Sequence, residues 1–330
     1  MTLRVGLIGA GWVTRHHLDA YRQLAGKAVV VAIADPSEAA RRSRAADYGI
    51  ATTYASAADM LAAEKLDAVD IASPRELHAE HVRLAAGAGL AILCQKPLAP
   101  SFAEAEALVR EIGERVPFMV HENWRFRPHY RQVRRWLDEG RIGKPVQASM
   151  SVLTSGLVAD GEGRLPALVR QPMLAGLEQM LVKEILIHHL DTLRFLLGDL
   201  TLRMAVLGRL SDAVIGEDHA FLSLSCADGT PVVLAGNLHA RGYPGEAFDR
   251  LEIFGGRGRI LLDRDRLQLD AEAAETVQLD LAANYAASYR GTIECFLDGL
   301  SAGGIPENRP ADNIETLRLV DEAYGWGSRG

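Results

Sequence analysis

The chain is expected to be an α/β protein in two parts. The first is an N-terminal Rossmann fold with a doubly wound parallel sheet. The second is a C-terminal α/β domain with a large open, mostly antiparallel sheet. Three observations predict this. Short, uniformly apolar runs at 5–8, 29–34, 68–72, 91–93 and 118–120 alternate with Ala- and Leu-rich stretches of helical spacing, such as 76–86 and 102–114. Strands covered by helices on both faces read this way. A glycine turn, Gly9-Ala10-Gly11, separates the first apolar run from the first helical stretch. Beyond residue 200, strand-like runs follow one another without helices between them, which implies antiparallel neighbours.

The pattern changes after Val120. Residues 1–122 are assigned to the Rossmann domain and 123–330 to the C-terminal α/β domain. In the second part, 128–139 reads as a helix ending at Gly140, and 146–154 as a strand. The Gly- and Pro-containing segment 155–180 reads as loop with short helical turns. An irregular segment of that length inside a domain is more often functional than accidental. A helix over 181–197 is stopped by Gly198. Strands are expected at 202–207, 220–225, 232–238, 250–254, 259–262 and 266–269, and helices at 288–301 and 313–325.

The chain's 330 residues suffice for two domains. No apolar run approaches the roughly 20 residues that span a bilayer. The first strand-like run starts at Leu3, so no signal peptide is expected. Cys94, Cys226 and Cys295 are odd in number and widely spaced. They suggest neither a disulfide framework nor a zinc site, as expected of a cytoplasmic protein. A formal net charge of −7 argues against general binding to nucleic acid or to an anionic membrane.

Gly9-x-Gly11 follows a strand and opens a helix, the context that gives a glycine motif meaning. The first glycine allows the tight turn, and the second lets the backbone approach a pyrophosphate at the helix N-terminus. Gly9, Gly11, Trp12 and Val13 are therefore expected against the cofactor. Thr14 stands where the motif expects Gly or Ala, and its side chain is expected to loosen the helix–strand contact. Asp35 ends the second strand, where a carboxylate accepts hydrogen bonds from the adenosine ribose and repels a 2′-phosphate. The expected cofactor is NAD in preference to NADP, a preference that Arg41 and Arg42 on the following helix would soften.

Lys96 follows the apolar run 90–93, at a strand's C-terminal end, where ligands bind in open α/β sheets. A cation there favours a developing alkoxide. Glu184, His188 and Asp191 are spaced i, i+4, i+7, on one face of a helix. Ile185, Leu186, Leu190, Leu193 and Leu197 define the opposite arc. His188, near neutrality in its unperturbed titration, is the candidate general base. His189 projects to the apolar arc and is expected to be a hydrogen-bonded core histidine. No further ligand motif accompanies His188 and Asp191, so no metal is expected.

These motifs, in their order, resemble the glucose–fructose oxidoreductase/inositol dehydrogenase/MocA family (Gfo/Idh/MocA). The resemblance rests on the glycine loop, Ser73-Pro74 with His78, Gln95-Lys96-Pro97, Asn123-x-Arg125, His188-x-x-Asp191 and Leu251-Glu252-Ile253-Phe254-Gly255. It covers essentially the whole chain. Gln95 stands where the family usually has Glu, Ser73-Pro74-Arg75 where it often has Thr-Pro-Asn, and Glu184 where it usually has Asp. These departures point to a subgroup, and 94–97 with 120–126 is most similar to the D-apiose dehydrogenase branch. The resemblance implies that Ser73, Pro74, His78, Lys96 and Pro97 border the cofactor. It also implies that Trp124 and Arg125 face the substrate and that the C-terminal sheet pairs in a homodimer or homotetramer. Arg164, Arg170 and Gln171, in the irregular segment, are candidates to line the substrate pocket with Asp191.

The expected function is hydride transfer between a sugar or polyol hydroxyl and NAD, with an aldose 1-dehydrogenase as first candidate. Lys96, Glu184 and His188 are the expected catalytic residues. Two rivals are a non-catalytic NAD-binding redox sensor, and a lyase or hydrolase that uses bound NAD transiently.

Overall fold

The computed structural model describes residues 2–303 and 307–327. Along the chain run β1 (Leu3–Ile8), α1 (Thr14–Gln23), β2 (Ala28–Ala34), α2 (Glu38–Tyr48), β3 (Thr52–Tyr54), α3 (Ala57–Ala63), β4 (Ala68–Ile71), α4 (His78–Gly87), β5 (Ala91–Gln95), α5 (Phe102–Ile112) and β6 (Phe118–His121). Next come α6 (Pro128–Asp138), β7 (Pro145–Leu153), α7 (Pro166–Arg170), a π-helix (Leu181–Leu186) and α8 (Ile187–Leu197). The chain continues through β8 (Leu200–Gly208), β9 (His219–Cys226), β10 (Pro231–Asn237), β11 (Asp249–Gly255), β12 (Gly258–Asp263), β13 (Arg266–Asp270) and β14 (Glu275–Gln278) to α9 (Leu281–Ala302) and α10 (Pro310–Gly327).

Two compact units result. The first is Met1–Arg127 with Tyr285–Glu315, the second Pro128–Asn284 with Thr316–Gly330. The expected ranges of 1–122 and 123–330 differ from these units in two respects. The first crossing falls at Arg127, and the chain later returns to the first unit. The return is hydrophobic: Ile293, Phe296 and Leu297 of α9 are fully buried in one core with Val5, Leu7, Leu93 and Met119 of the sheet.

The first unit's sheet has the order β3-β2-β1-β4-β5-β6, and every pairing is parallel. Strand order reverses between β1 and β4, and in such sheets the switch point is where ligands bind. Serines cap three of the helices: Ser37 accepts from Ala40 N–H, Ser56 from Asp59 N–H and Ser101 from Glu104 N–H. Helix α1, which follows the glycine loop, has no side-chain cap.

The second unit's sheet has the order β14-β13-β12-β11-β7-β10-β9-β8. Only β7 and β10 pair in parallel; the remaining neighbours are antiparallel. Alternate residues point to opposite faces. Ala148, Met150, Val152, Leu222, Leu224, Val232, Leu234, Leu251 and Ile253 are buried on one face, while Val206, Phe221 and Phe254 are exposed on the other. Strands β3 and β14 were absent from the sequence expectation. The first is a three-residue edge strand, and the second (Glu-Thr-Val-Gln) is exposed along its length, so neither carries an apolar run. Within the irregular segment, α7 and a 3₁₀ turn at Pro172–Gly176 form.

Candidate active site

The cofactor loop is built by close approach. Gly9 has φ 108°, and a Cβ there would lie 2.6 Å from the carbonyl oxygen of Ala72 at the end of β4. Only glycine tolerates both. A Cβ at Gly11 would meet no protein atom within 4 Å. Nothing in the fold itself therefore demands glycine at that position, which fits a loop kept open for the pyrophosphate of a dinucleotide. The uncapped start of α1, with its positive dipole end, fits the same group. Thr14 does not loosen the contact as expected. It is fully buried, and its hydroxyl donates to the Gly11 carbonyl at 2.6 Å, closing the turn where a glycine would leave a gap.

Asp35 is bound into this loop. Its carboxylate accepts from Ala10 N–H and from Ser37 N–H, each at 2.8 Å. Arg41 donates to the carbonyls of Asp35 and Pro36, at 3.1 and 3.2 Å, and Arg42 pairs with Glu38 at 2.8 Å. Arg44, missed by sequence reasoning, is buried on α2 and donates to the carbonyls of Ala10 and Gly11. It braces the loop from behind; a helical spacing gave no signal for that.

Ser73 and Pro74 follow β4, and Lys96 and Pro97 follow β5, so both pairs stand on the same sheet edge as the glycine loop. The Lys96–Pro97 peptide is cis. His78 is buried, with Nδ1 2.9 Å from the Pro97 carbonyl oxygen and Nε2 2.9 Å from that of Ser73. It ties these two loops together. Burial lowers its pKa more than the two carbonyls raise it, and a neutral ring donates to one of these two carbonyls only. Ser73 Oγ and His81 Nδ1 are 2.9 Å apart.

Trp124 and Arg125 belong to the first unit, not to the start of the second as expected. They lie in a 3₁₀ turn, Trp124–Phe126. Arg125 is buried and pairs with Asp312 at 3.3 Å, a structural partner within its own unit. Trp12 is 59% exposed and makes an edge contact with His16. His16 in turn stacks on Tyr289 and meets Tyr285 edge-on. Tyr285 and Tyr289 stand some 270 positions away in sequence and were not anticipated.

In the second unit, the helix expected over 181–197 is a π-helix followed by α8. Glu184 lies in the π-turn and His188 in the first turn of α8, both half-buried. Asp191 departs from the expected polar face: it is fully buried and accepts from Thr316 Oγ1 at 3.4 Å. The wider π-turn and the return of α10 put that position inside. His189 is the core histidine expected, with Nε2 2.8 Å from Asp249 and Nδ1 3.1 Å from the Ile185 carbonyl oxygen. The π-turn is anchored by Glu217, which accepts from Met180 N–H, Val182 N–H and Tyr324 Oη. Arg170 is exposed at the end of α7, and Arg164 is engaged with Asp160 and Glu162. Among the described residues no group of three or more His, Cys, Asp or Glu is placed to hold a metal ion. No described helix is long and apolar enough to cross a membrane.

Residues 3–120 match the model of an oxidoreductase family with an NAD-binding Rossmann fold, and 130–261 match the GFO/IDH/MocA C-terminal domain. The chain is 36% identical to a D-apiose dehydrogenase of Paraburkholderia graminis, over 96% of this chain and 86% of that protein. It is 30% identical to a D-apiose dehydrogenase of Rhizobium rhizogenes, over 99% and 96%. Among solved structures it is similar to an oxidoreductase from Agrobacterium radiobacter in complex with NAD+, L-tartaric acid and magnesium. That likeness has a TM-score of 0.93 at 28% identity, covering 100% of this chain and 97% of that one. The matches span both parts of the chain, and with the glycine loop and parallel sheet they place it in the Gfo/Idh/MocA oxidoreductase family.

Proposed function

We propose that this chain is an NAD-dependent dehydrogenase that oxidises a CH–OH group of a sugar or polyol, with an aldose at its anomeric carbon as first candidate. The observation that carries the reading is the meeting of four segments at one sheet edge: the glycine loop, Asp35, Ser73-Pro74 and Lys96-Pro97 follow β1, β2, β4 and β5. Gly9, Gly11, Trp12 and Val13 would hold the pyrophosphate, and Asp35 the adenosine ribose. The Asp35 carboxylate, with Arg41 and Arg42 already engaged by other groups, favours NAD over NADP.

Bound NAD supplies the hydride acceptor. Lys96 holds the reacting oxygen and offsets its negative charge as the proton leaves. His188 takes that proton on a ring nitrogen, and Glu184 orients the imidazole. The carbinol C–H pair leaves as hydride, a C=O bond forms, and one proton is released. We place Arg170 and Trp124 with the substrate. The exposed sheet face bearing Val206, Phe221 and Phe254 is assigned to pairing between copies of the chain, and the cytoplasm is its proposed compartment.

The test is absorbance at the NADH band with NAD or NADP across aldoses and cyclic polyols. Apiose comes first, because two relatives are named for it. Substrate-dependent NADH formation is expected, with Lys96→Ala and His188→Ala each losing about 10²-fold or more in kcat. Near-normal turnover in both variants would overturn the assigned roles. NAD binding without turnover on any substrate would favour a redox sensor, and substrate consumption without net NADH a lyase or hydrolase.

A further inference from the structure

Asp70 lies in the middle of β4, between Leu7 of β1 and Leu93 of β5, and is fully buried. A carboxylate in that position is costly unless it is hydrogen-bonded. Its Oδ2 is 2.7 Å from His17 Nδ1 on α1, and neither side chain is exposed at all. His17 Nε2 is 2.8 Å from the side-chain nitrogen of Gln95, which is also 3.2 Å from His121 Nδ1. Gln95 Oε1 accepts the backbone N–H of Lys96 at 3.1 Å. The rings of His17 and His121 stack at 4.2 Å, and Tyr289 packs against both. Other titratable groups around this cluster include His16 and Tyr21 on α1, Cys94 on β5, and Glu122, which follows His121 and whose charge acts on Tyr289. Tyr21 and Cys94 are pushed well up by burial and then by the Asp70 charge, so both stay neutral.

The backbone amide of Lys96 can only donate, so the oxygen of the Gln95 amide must face it. The NH₂ end then faces the two imidazoles, one N–H to each. His17 must accept on Nε2 and therefore carries its proton on Nδ1, donating it to Asp70. His121 must accept on Nδ1. Donation thus runs one way through the cluster, from the Lys96 N–H through the Gln95 amide and His17 to the buried carboxylate of Asp70.

We propose that Gln95, set in orientation by His17 and Asp70, is a positioning residue that fixes the peptide carrying Lys96. The proposal rests on the reading of Lys96 as the residue that holds the reacting oxygen. An ionised glutamate at position 95 cannot donate to either ring. It would require His17 to carry protons on both nitrogens and His121 to reverse its tautomer, so a nearly isosteric change rewires the cluster.

The test uses the full chain with ¹⁵N-labelled histidine and long-range ¹H–¹⁵N spectra, His17 being assigned by its loss in His17→Asn. Wild type should show His17 as a neutral ring protonated on Nδ1. At the same pH, Gln95→Glu should show both nitrogens protonated. A wild-type His17 protonated on Nε2, or on both nitrogens, overturns the assigned direction, and this needs no variant to fold. In steady state, Gln95→Glu and Gln95→Leu should lower kcat about ten- to a hundredfold, with KM for NAD changed by less than about threefold. Retention of kcat in both variants overturns the positioning role. Loss of kcat in them, with normal turnover in Lys96→Ala, would show instead that the reading of Lys96 fails.

Discussion

Glu217 anchors the turn that leads into the expected general base. It is 8% exposed and sits beyond β8, yet its carboxylate accepts from Met180 N–H at 3.2 Å, Val182 N–H at 2.9 Å and Tyr324 Oη at 2.5 Å. The two amides open the π-turn that carries Glu184 and leads into His188. The Tyr324 phenol, raised in pKa by burial and then by the Glu217 charge, remains a donor at all working pH values. Hydrogen bonds to a charged group contribute about 1.5–3 kcal/mol each. Three of them in one network do not add fully, so Glu217→Ala should cost roughly 3–5 kcal/mol. Glu217→Gln keeps the shape but sets an N–H against the Met180 or the Val182 amide, for about 1–3 kcal/mol. Tyr324→Phe removes one bond, for about 1 kcal/mol. Urea unfolding measures these differences, and hydrogen exchange at Val182 N–H shows whether the loss is local to the π-turn. kcat in Glu217→Gln should fall about tenfold with the fold intact, since a small displacement of a base costs rate steeply. A Glu217→Ala protein within about 1 kcal/mol of wild type, with unchanged exchange at Val182, would refute the reasoning.

The glycine loop gives a paired prediction. Gly9→Ala meets the Ala72 carbonyl and holds φ at 108°, so it should destabilise by about 2–4 kcal/mol in a thermal or urea melt. Gly11→Ala meets nothing and should keep its melting midpoint while KM for NAD rises at least about tenfold. Asp35→Ser removes the carboxylate facing the expected ribose, and the NADP-to-NAD ratio of kcat/KM should rise about tenfold or more. Some stability should be lost with it, because Ala10 N–H and Ser37 N–H lose their acceptor. His16, His78 and His81 all have lowered pKa values, burial being the largest cause. The folded state therefore binds fewer protons than the unfolded one. Their contribution is full above about pH 6.5 and is lost as pH falls through the folded values. Melting midpoints between pH 8 and 5 should decline on the acid side, and less steeply in His78→Gln.

The sheet of the first unit was legible, apart from its edge strand β3, because burial on both faces leaves uniformly apolar runs, and because the glycine loop marks where strand passes into helix. The second sheet was legible in its seven apolar strands and not in β14, whose residues are all exposed. The domain ranges were read from one change of pattern near residue 122. The return of α9 could not be read that way, since an amphipathic helix shows that it has a partner and not which one. Asp191 was misplaced for a related reason. Spacing of i, i+4, i+7 defines a face only on a uniform α-helix, and here Glu184 sits in a π-turn.

The residues expected to carry chemistry share one property: the reaction restricts their type at a local position, as with a lysine at a strand end or a histidine on a helix. The residues that hold them have no such local mark. Glu217 reads as one acid among many, and Tyr324 as an aromatic in a terminal helix; they matter because the fold brings them to Met180 and Val182. Asp70 is the instructive exception. In Ala68-Val69-Asp70-Ile71 it interrupts a run that must be buried on both sides, and a carboxylate there requires a donor from elsewhere. The sequence therefore announces that a partner exists without saying that it is His17, 53 positions upstream. A charged residue inside an otherwise apolar parallel strand is the signal by which such supporting clusters are found before a structure is known. Here that search leads through His17 to Gln95 and to the peptide of Lys96.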